Sequence, residues 1–157
     1  MFVFCCKIAF RREYLKIFFQ ILFSFFFSGS VYCTIELIYR QYTHFSMFIL
    51  AGVVGIFLYF LNNIFTYEMD YLLQIIIGTV FATLGEGTVG TILQKLHNGT
   101  NPVWDYSNMP LSFFNGQCCA LFTFFWLLIV APSIILLDIY DWKIFNGETP
   151  YYKIFGH

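Results

Sequence analysis

The sequence predicts an all-α polytopic membrane protein, a bundle of four transmembrane helices. Three observations carry that prediction. The 157 residues are 59% hydrophobic and only 11% charged, where a soluble domain carries about 25% charged residues. Phenylalanine alone fills 22 positions, more apolar surface than a soluble chain of this size hides from water. The few charges fall between uncharged runs, each close to the roughly 20 residues that cross a bilayer. One integral membrane domain, 1–157, with a short amino-terminal segment and a polar carboxy-terminal tail, accounts for the chain.

The first span is placed at about Ile17–Leu37, because nineteen uncharged residues separate Lys16 from Glu36. The second, about Phe45–Phe65, fills the uncharged stretch between His44 and Glu68. The third runs from Tyr71 to about Leu93 and is interrupted by Glu86. The fourth is placed at about Phe113–Leu137, with Pro132 near its end positioned to kink it by removing a backbone donor. Two connections, Arg40–His44 and Thr66–Asp70, are tight polar turns. Gln94–Ser112 is the long loop, holding Trp104, Asp105, Tyr106 and Pro110. Residues Met1–Phe10 are apolar but lack a small-residue cleavage site, so the first span is read as an uncleaved insertion signal.

Four crossings put both ends of the chain on one side. That side carries Lys7, Arg11, Arg12, Lys16, Lys143 and Lys153, whereas the other carries Arg40 and Lys95. The excess of basic residues predicts both termini in the cytoplasm of a cell-membrane protein. Spans one and three then run outward together, so Glu36, Glu86, Arg40, His44, Asp105 and Gln117 all belong to the outer half.

Composition also excludes. A net charge of −1 gives no reason to expect nucleic acid. The cysteines at 5, 6, 33, 118 and 119 form no CxxC pair and have no histidine at ligand spacing, so neither metal nor cofactor is expected. They read as buried thiols, with acylation of Cys5 and Cys6 as the alternative. No phosphate-binding GxxxxGK[ST] loop is present, and no GxSxG, HExxH or Ser/Lys signature marks a hydrolase. The chain is therefore read as a non-enzyme with no catalytic residues. Asn98-Gly99-Thr100 fits a glycosylation sequon, but the match is short and depends on a eukaryotic secretory context.

The candidate binding residues are Glu36, Arg40, His44, Glu86, Trp104, Asp105 and Gln117. A carboxylate at the depth of Glu86 is expensive in lipid and is either shielded by a partner or used. Glu36 and Arg40 are spaced for a helical ion pair, which serves equally a helix end leaving lipid and a functional site. Two carboxylates facing one small bundle call for a proton or a bridging cation. Gly78, Ala82, Gly85 and Gly90 offer small surfaces for close helix packing, or mark a broken helix lining a site. Trp104-Asp105-Tyr106-Ser107 is an interfacial anchor or a cap over the polar cluster. His44 is suited to shuttling protons or to a hydrogen-bonded surface role.

These positions form a set. Glu36-Leu37-Ile38-Tyr39-Arg40, Tyr42-Thr43-His44-Phe45-Ser46-Met47, Glu86 with Gly90, and Trp104-Asp105-Tyr106-Ser107 followed by Pro110 and Gly116-Gln117 resemble the ABC-transporter type IV, or CmpB-like, family of small bacterial integral membrane proteins. The ending Gly147-Glu148-Thr149-Pro150-Tyr151-Tyr152-Lys153 resembles the tail of its Gram-positive members. The chain departs from the family's Trp at Phe45, its Gly at Gln41 and Ala51, and its frequent Asn at Gln94. The resemblance implies a multi-span permease component. An ABC permease needs a cytoplasmic element that grips its ATPase, and the internal turn Thr66–Asp70 is too short for one, which leaves the tail, an inverted orientation, or a protein to which the ABC label does not apply.

The functional expectation is a permease-like subunit or small-solute transporter, in the lipid bilayer as a homo-oligomer or with a partner membrane or ATPase subunit. Glu36 and Glu86 would bind a proton or cation, tuned by Arg40, with Trp104 and Asp105 closing the outer side. An intramembrane enzyme acting on a lipid-type substrate through Glu86, His44 and Asp105 is the alternative, as is a scaffold whose polar groups only pair helices.

Overall fold

The computed structural model describes residues 2–65 and 67–155, with side chains from residue 12 onward. The thiols of Cys5 and Cys6, the charges of Lys7 and Arg11, and Thr66 lie outside that description. Among the described residues four helices, α1 (Phe2–Arg40), α2 (Phe45–Phe65), α3 (Tyr71–Leu96) and α4 (Ala120–Phe145), are joined by two short turns and one long loop. Each contains a stretch long and apolar enough to cross a membrane, that of α1 running from Arg12 to Arg40. Helix is the form such segments take in lipid, where backbone donors and acceptors find no water and must satisfy each other. The chain is an all-α integral membrane protein.

Local chemistry sets the helix ends. α1 stops where Gln41 takes a left-handed φ of 58° and its N–H returns to the Leu37 carbonyl at 3.0 Å. Asp70 caps α3 by accepting from the Leu72 N–H at 2.9 Å. Asn146, left-handed at φ 52°, closes α4.

The helices alternate in direction, and α2 packs against all three others. Small residues permit that. A Cβ on Gly55 would collide with the Ser28 side chain and meet the Ser24 carbonyl oxygen at 2.9 Å, so α1 and α2 touch nearly backbone to backbone. Opposite, Gly78 of α3 faces Leu58 of α2 and Val130 of α4. Leu50, Val54, Leu58 and Leu61 of α2 join Ile75 and Ala82 of α3 and Val130, Ile134 and Leu137 of α4 in one buried cluster. Most of α1 and much of α4 stay exposed, with Phe18, Phe19, Phe26 and Phe124 outward, the surface that lipid covers.

Three expectations change. The fourth span starts at Ala120, not Phe113. Ser112–Phe113 pairs antiparallel with Cys118–Cys119, Ser112 opposite Cys119 and Phe113 opposite Cys118. Phe114, Asn115 and Gly116 make the turn at φ 51°, 52° and 81°, a left-handed path for which the Asn-Gly step is suited. The span gains at its other end what it loses here, continuing through Asp138 and Asp141 to Phe145. Pro132 consequently falls in mid-helix, where the Tyr71 hydroxyl donates to the Ala131 carbonyl at 2.7 Å. Finally, α3 is continuous through Gly85, Glu86 and Gly87, so the broken-helix reading does not hold.

Candidate functional site

Glu86 projects from α3 into the bundle and is 1% exposed. Its two oxygens are held from different directions. Trp126 of α4 donates its Nε1–H to Oε2 at 3.1 Å, and the hydroxyl of Tyr106 reaches Oε1 at 3.3 Å. Both donors are neutral. Among the described residues no cation pairs with this carboxylate.

Glu36 is the second carboxylate and is 6% exposed. Arg40, one turn on, donates to its Oε1, and Thr43 donates to Oε2 at 2.6 Å. Arg40 also lies over the Tyr42 ring, 5.1 Å from its centroid, while its buried Nε has no partner. Tyr32 of α1 links the two groups. Its ring stacks on Trp126 with centroids 5.0 Å apart, and it feels the charges of Glu36, Glu86 and Arg40 together. Between α1 and α4, Tyr32, Glu36, Arg40 and Tyr106 line a cavity of about 370 Å³, with Tyr39, Phe122 and Phe125 forming its apolar wall.

The loop from His97 to Cys119 is a folded lid on this end of the bundle. Val103, Trp104 and Tyr106 belong to the buried core. Trp104 donates its indole N–H to the Gln117 carbonyl at 2.9 Å, and Tyr106 N–H binds the Gly116 carbonyl at 2.8 Å. Gln117, 1% exposed, accepts from Asn101 Nδ2 at 2.6 Å and lies against Gly90, where a Cβ would come within 2.5 Å of its Oε1. From α1's end, the Tyr42 hydroxyl adds a bond to the Val103 carbonyl at 3.2 Å. Burial, and then the neighbouring Glu86 charge, drive the Tyr106 hydroxyl well above the ordinary phenol range, so it stays a donor. The same two causes push the Cys118 thiol up to about 12.

The structure thus brings together Glu36, Arg40 and Glu86 through Tyr32 and places Trp104 and Gln117 in the lid above them. Gln117 belongs to the hairpin, not to the opening of α4. Asp105 and His44 are elsewhere. Asp105 is exposed and turns back on Ser107, accepting from its hydroxyl at 2.6 Å and its N–H at 2.9 Å. Those bonds hold its carboxyl below the usual carboxylate range. Tyr106, the next residue, is the one that closes over Glu86. His44 is exposed at the start of α2, with Nδ1 against Ser46 at 2.8 Å. Among the described residues neither His44 nor Asp105 bonds to Glu86, so the acid–base trio is not assembled. No three His, Cys, Asp or Glu among the described residues stand together as a metal site. Cys118 and Cys119 are free and buried, Cys118 donating to the Thr83 carbonyl at 3.5 Å.

Sequence reasoning missed a second polar cluster at the far end of the bundle, between Gln20 of α1 and the last turns of α4. Asp138, 3% exposed, accepts through Oδ2 from Asn62 Nδ2 and from the Tyr152 hydroxyl, both at 2.7 Å. Asp141 Oδ1 accepts from Gln20 Nε2 at 2.8 Å and from the Tyr59 hydroxyl. The signal available was the spacing: Asp138 and Asp141 are one turn apart, as are Tyr59 and Asn62.

Fold and site together define a polytopic α-helical membrane protein with two buried carboxylate clusters, one toward each end of the bundle. Comparison with protein-family models, curated proteins and solved structures finds no match to this chain.

Proposed function

We propose that this chain is a permease-like subunit or small-solute transporter of the cell membrane, with both termini cytoplasmic and Glu86 as its proton- or cation-responsive group. The observation that carries the reading is Glu86 itself: a fully buried carboxylate, deep in a membrane-spanning helix, held by two neutral donors and, among the described residues, by no cation. Such a group is costly in lipid, and a scaffold role would be served at lower cost by glutamine. Loading it with a proton or cation changes what Trp126 and Tyr106 bind, and Tyr106 belongs to the lid. Glu36 and Arg40, reached through Tyr32, set the field in which Glu86 works. The resemblance of the sequence to the CmpB-like family supports the permease class.

The test is ion flux in proteoliposomes containing purified protein and internal pyranine. Wild type is expected to carry protons or monovalent cations down a gradient, and Glu86→Gln to abolish the flux while keeping its thermal unfolding temperature. A folded Glu86→Gln variant with unchanged flux overturns the assignment. Native pull-down adds the distinction within the class: a co-purifying ATPase marks a permease subunit, and flux without one marks a secondary transporter.

A further inference from the structure

The cavity of about 370 Å³ between α1 and α4 is polar at one end and apolar along the rest of its length. We infer that it binds one membrane phospholipid, with the lipid phosphate on Arg40 and an acyl chain in the apolar groove. On α1 the cavity runs from Arg40 back to Tyr32, and on α4 from Phe122 to Ile129. At about 1.5 Å of rise per residue, that is about 10–12 Å of helix axis. It matches most of the roughly 15 Å of hydrocarbon in one leaflet. Ile35, Leu128 and Ile129 supply aliphatic wall. Aromatic rings continue it across the two helices: Tyr39 meets Phe125 edge-on at 6.3 Å, Phe125 meets Phe122 at 5.5 Å, and Phe122 stacks on Tyr106 at 4.4 Å. Ile35, Tyr39 and Leu128 are exposed on membrane-spanning helices, so the groove opens sideways into lipid.

The charge at the polar end is complementary to a phosphate. Among the described residues, Glu36 and Arg40 are the charged lining. They are not equally accessible, the side chain of Arg40 being 25% exposed and that of Glu36 only 8%. Both oxygens of Glu36 already accept, one from Arg40 and one from Thr43. The pair therefore turns its cationic member outward. A guanidinium carries five N–H donors in a planar fork that fits phosphate oxygens, and the bond to Glu36 uses one of its terminal nitrogens. Arg40 is also the last residue of α1, where the helix leaves the hydrocarbon and lipid phosphates lie. A free phosphate would leave the groove unfilled, and a chain without phosphate would leave the guanidinium unused. Tyr106 borders both this cavity and Glu86, but lipid binding is measured without flux, so the two readings fail separately.

The experiment is native mass spectrometry of the full chain, titrated in detergent with phosphatidylglycerol, diacylglycerol of the same chains, and glycerol phosphate. One phosphatidylglycerol per chain is expected to be retained, half-saturating at least tenfold below diacylglycerol, with glycerol phosphate not retained. Arg40→Gln is expected to bring phosphatidylglycerol to the diacylglycerol level. Leu128→Trp, which fills the groove, is expected to weaken retention at least tenfold. Equal retention of phosphatidylglycerol and diacylglycerol, or retention of glycerol phosphate as strong as that of the lipid, overturns the proposal. So does retention unchanged in either folded variant. Should Arg40→Gln fail to fold because Glu36 is stranded, Arg40→Gln combined with Glu36→Gln, together with Leu128→Trp, decides.

Discussion

The indole N–H of Trp126, on α4, donates to the Glu86 carboxylate on α3 at 3.1 Å, tying two helices through one buried charge. Trp126→Phe keeps the aromatic stack on Tyr32 but leaves Oε2 of Glu86 unmet. A hydrogen bond to a charged group is worth about 1.5–3 kcal/mol, so thermal or denaturant unfolding in detergent is expected to show a loss of that size. In combination with Glu86→Ala the loss is expected to fall short of the sum, because both changes remove the same contact.

Glu36 and Arg40 form a pair whose side chains are 8% and 25% exposed. Removing one partner strands the other, so Glu36→Gln and Arg40→Met are each expected to cost about 1–3 kcal/mol, between the exposed and fully buried cases. The double variant Glu36→Gln with Arg40→Met is expected to be milder than the two single losses added together. Unfolding of the three variants side by side measures the coupling.

Gly55→Ala introduces a Cβ where Ser28 and the Ser24 carbonyl already stand. Overpacking of this kind costs about 1–3 kcal/mol, read as a lowered unfolding temperature in detergent. Val53→Ala, on the exposed face of the same helix, is the control and is expected to be nearly neutral.

The tail is docked by Lys153 and Tyr151 on Glu68, with the Tyr71 N–H on the Lys153 carbonyl at 2.8 Å. Lys153 and Tyr151 hold the Glu68 carboxyl below its ordinary 4.5, and Glu68 raises the Lys153 amine above 10.5. The sign follows for each group. The Glu68 contribution is fully present above pH 4.5 and is lost as pH falls through its lower folded value. The Lys153 contribution is fully present below pH 10.5 and is lost as pH rises through its higher folded value. Tail protection in hydrogen exchange is expected to be level between those limits, to drop outside them, and to weaken with salt because both groups are exposed.

Cys118 and Cys119 are fully buried, and the Cys118 thiol is pushed up to about 12. They are expected to resist a membrane-impermeant maleimide until the protein unfolds. Asp105→Cys, in a background with Cys5, Cys6 and Cys33 replaced by serine, is expected to label rapidly on intact cells if the lid faces outward. Labelling only after lysis reverses the orientation.

Much of this architecture was legible because lipid imposes a coarse rule. α2 falls at Phe45–Phe65, as read from its uncharged run, and α3 begins at Tyr71. The rule fails at α4 for two physical reasons. Phe113 and Phe114 are apolar but belong to a hairpin, decided by the left-handed Asn115 and Gly116. Asp138 and Asp141 are charged but stay within the helix, because Gln20, Tyr59, Asn62 and Tyr152 receive them. Glu86 announced itself as a charge in an apolar run. Its partners did not, since a tryptophan and a tyrosine are inconspicuous in a chain with 3 Trp, 11 Tyr and 22 Phe.

The central position of α2 orders the biogenesis of the molecule. Its α1 contacts, Gly52 against Phe25 and Gly55 against Ser28, are complete once the first two helices have left the ribosome. Asn62, by contrast, has its partner Asp138 still 76 residues away in the chain. The nascent hairpin therefore enters the bilayer with an unmet amide on its second helix. Until α4 arrives, that amide marks an unfinished protein to any membrane quality-control factor that reads polar groups in lipid.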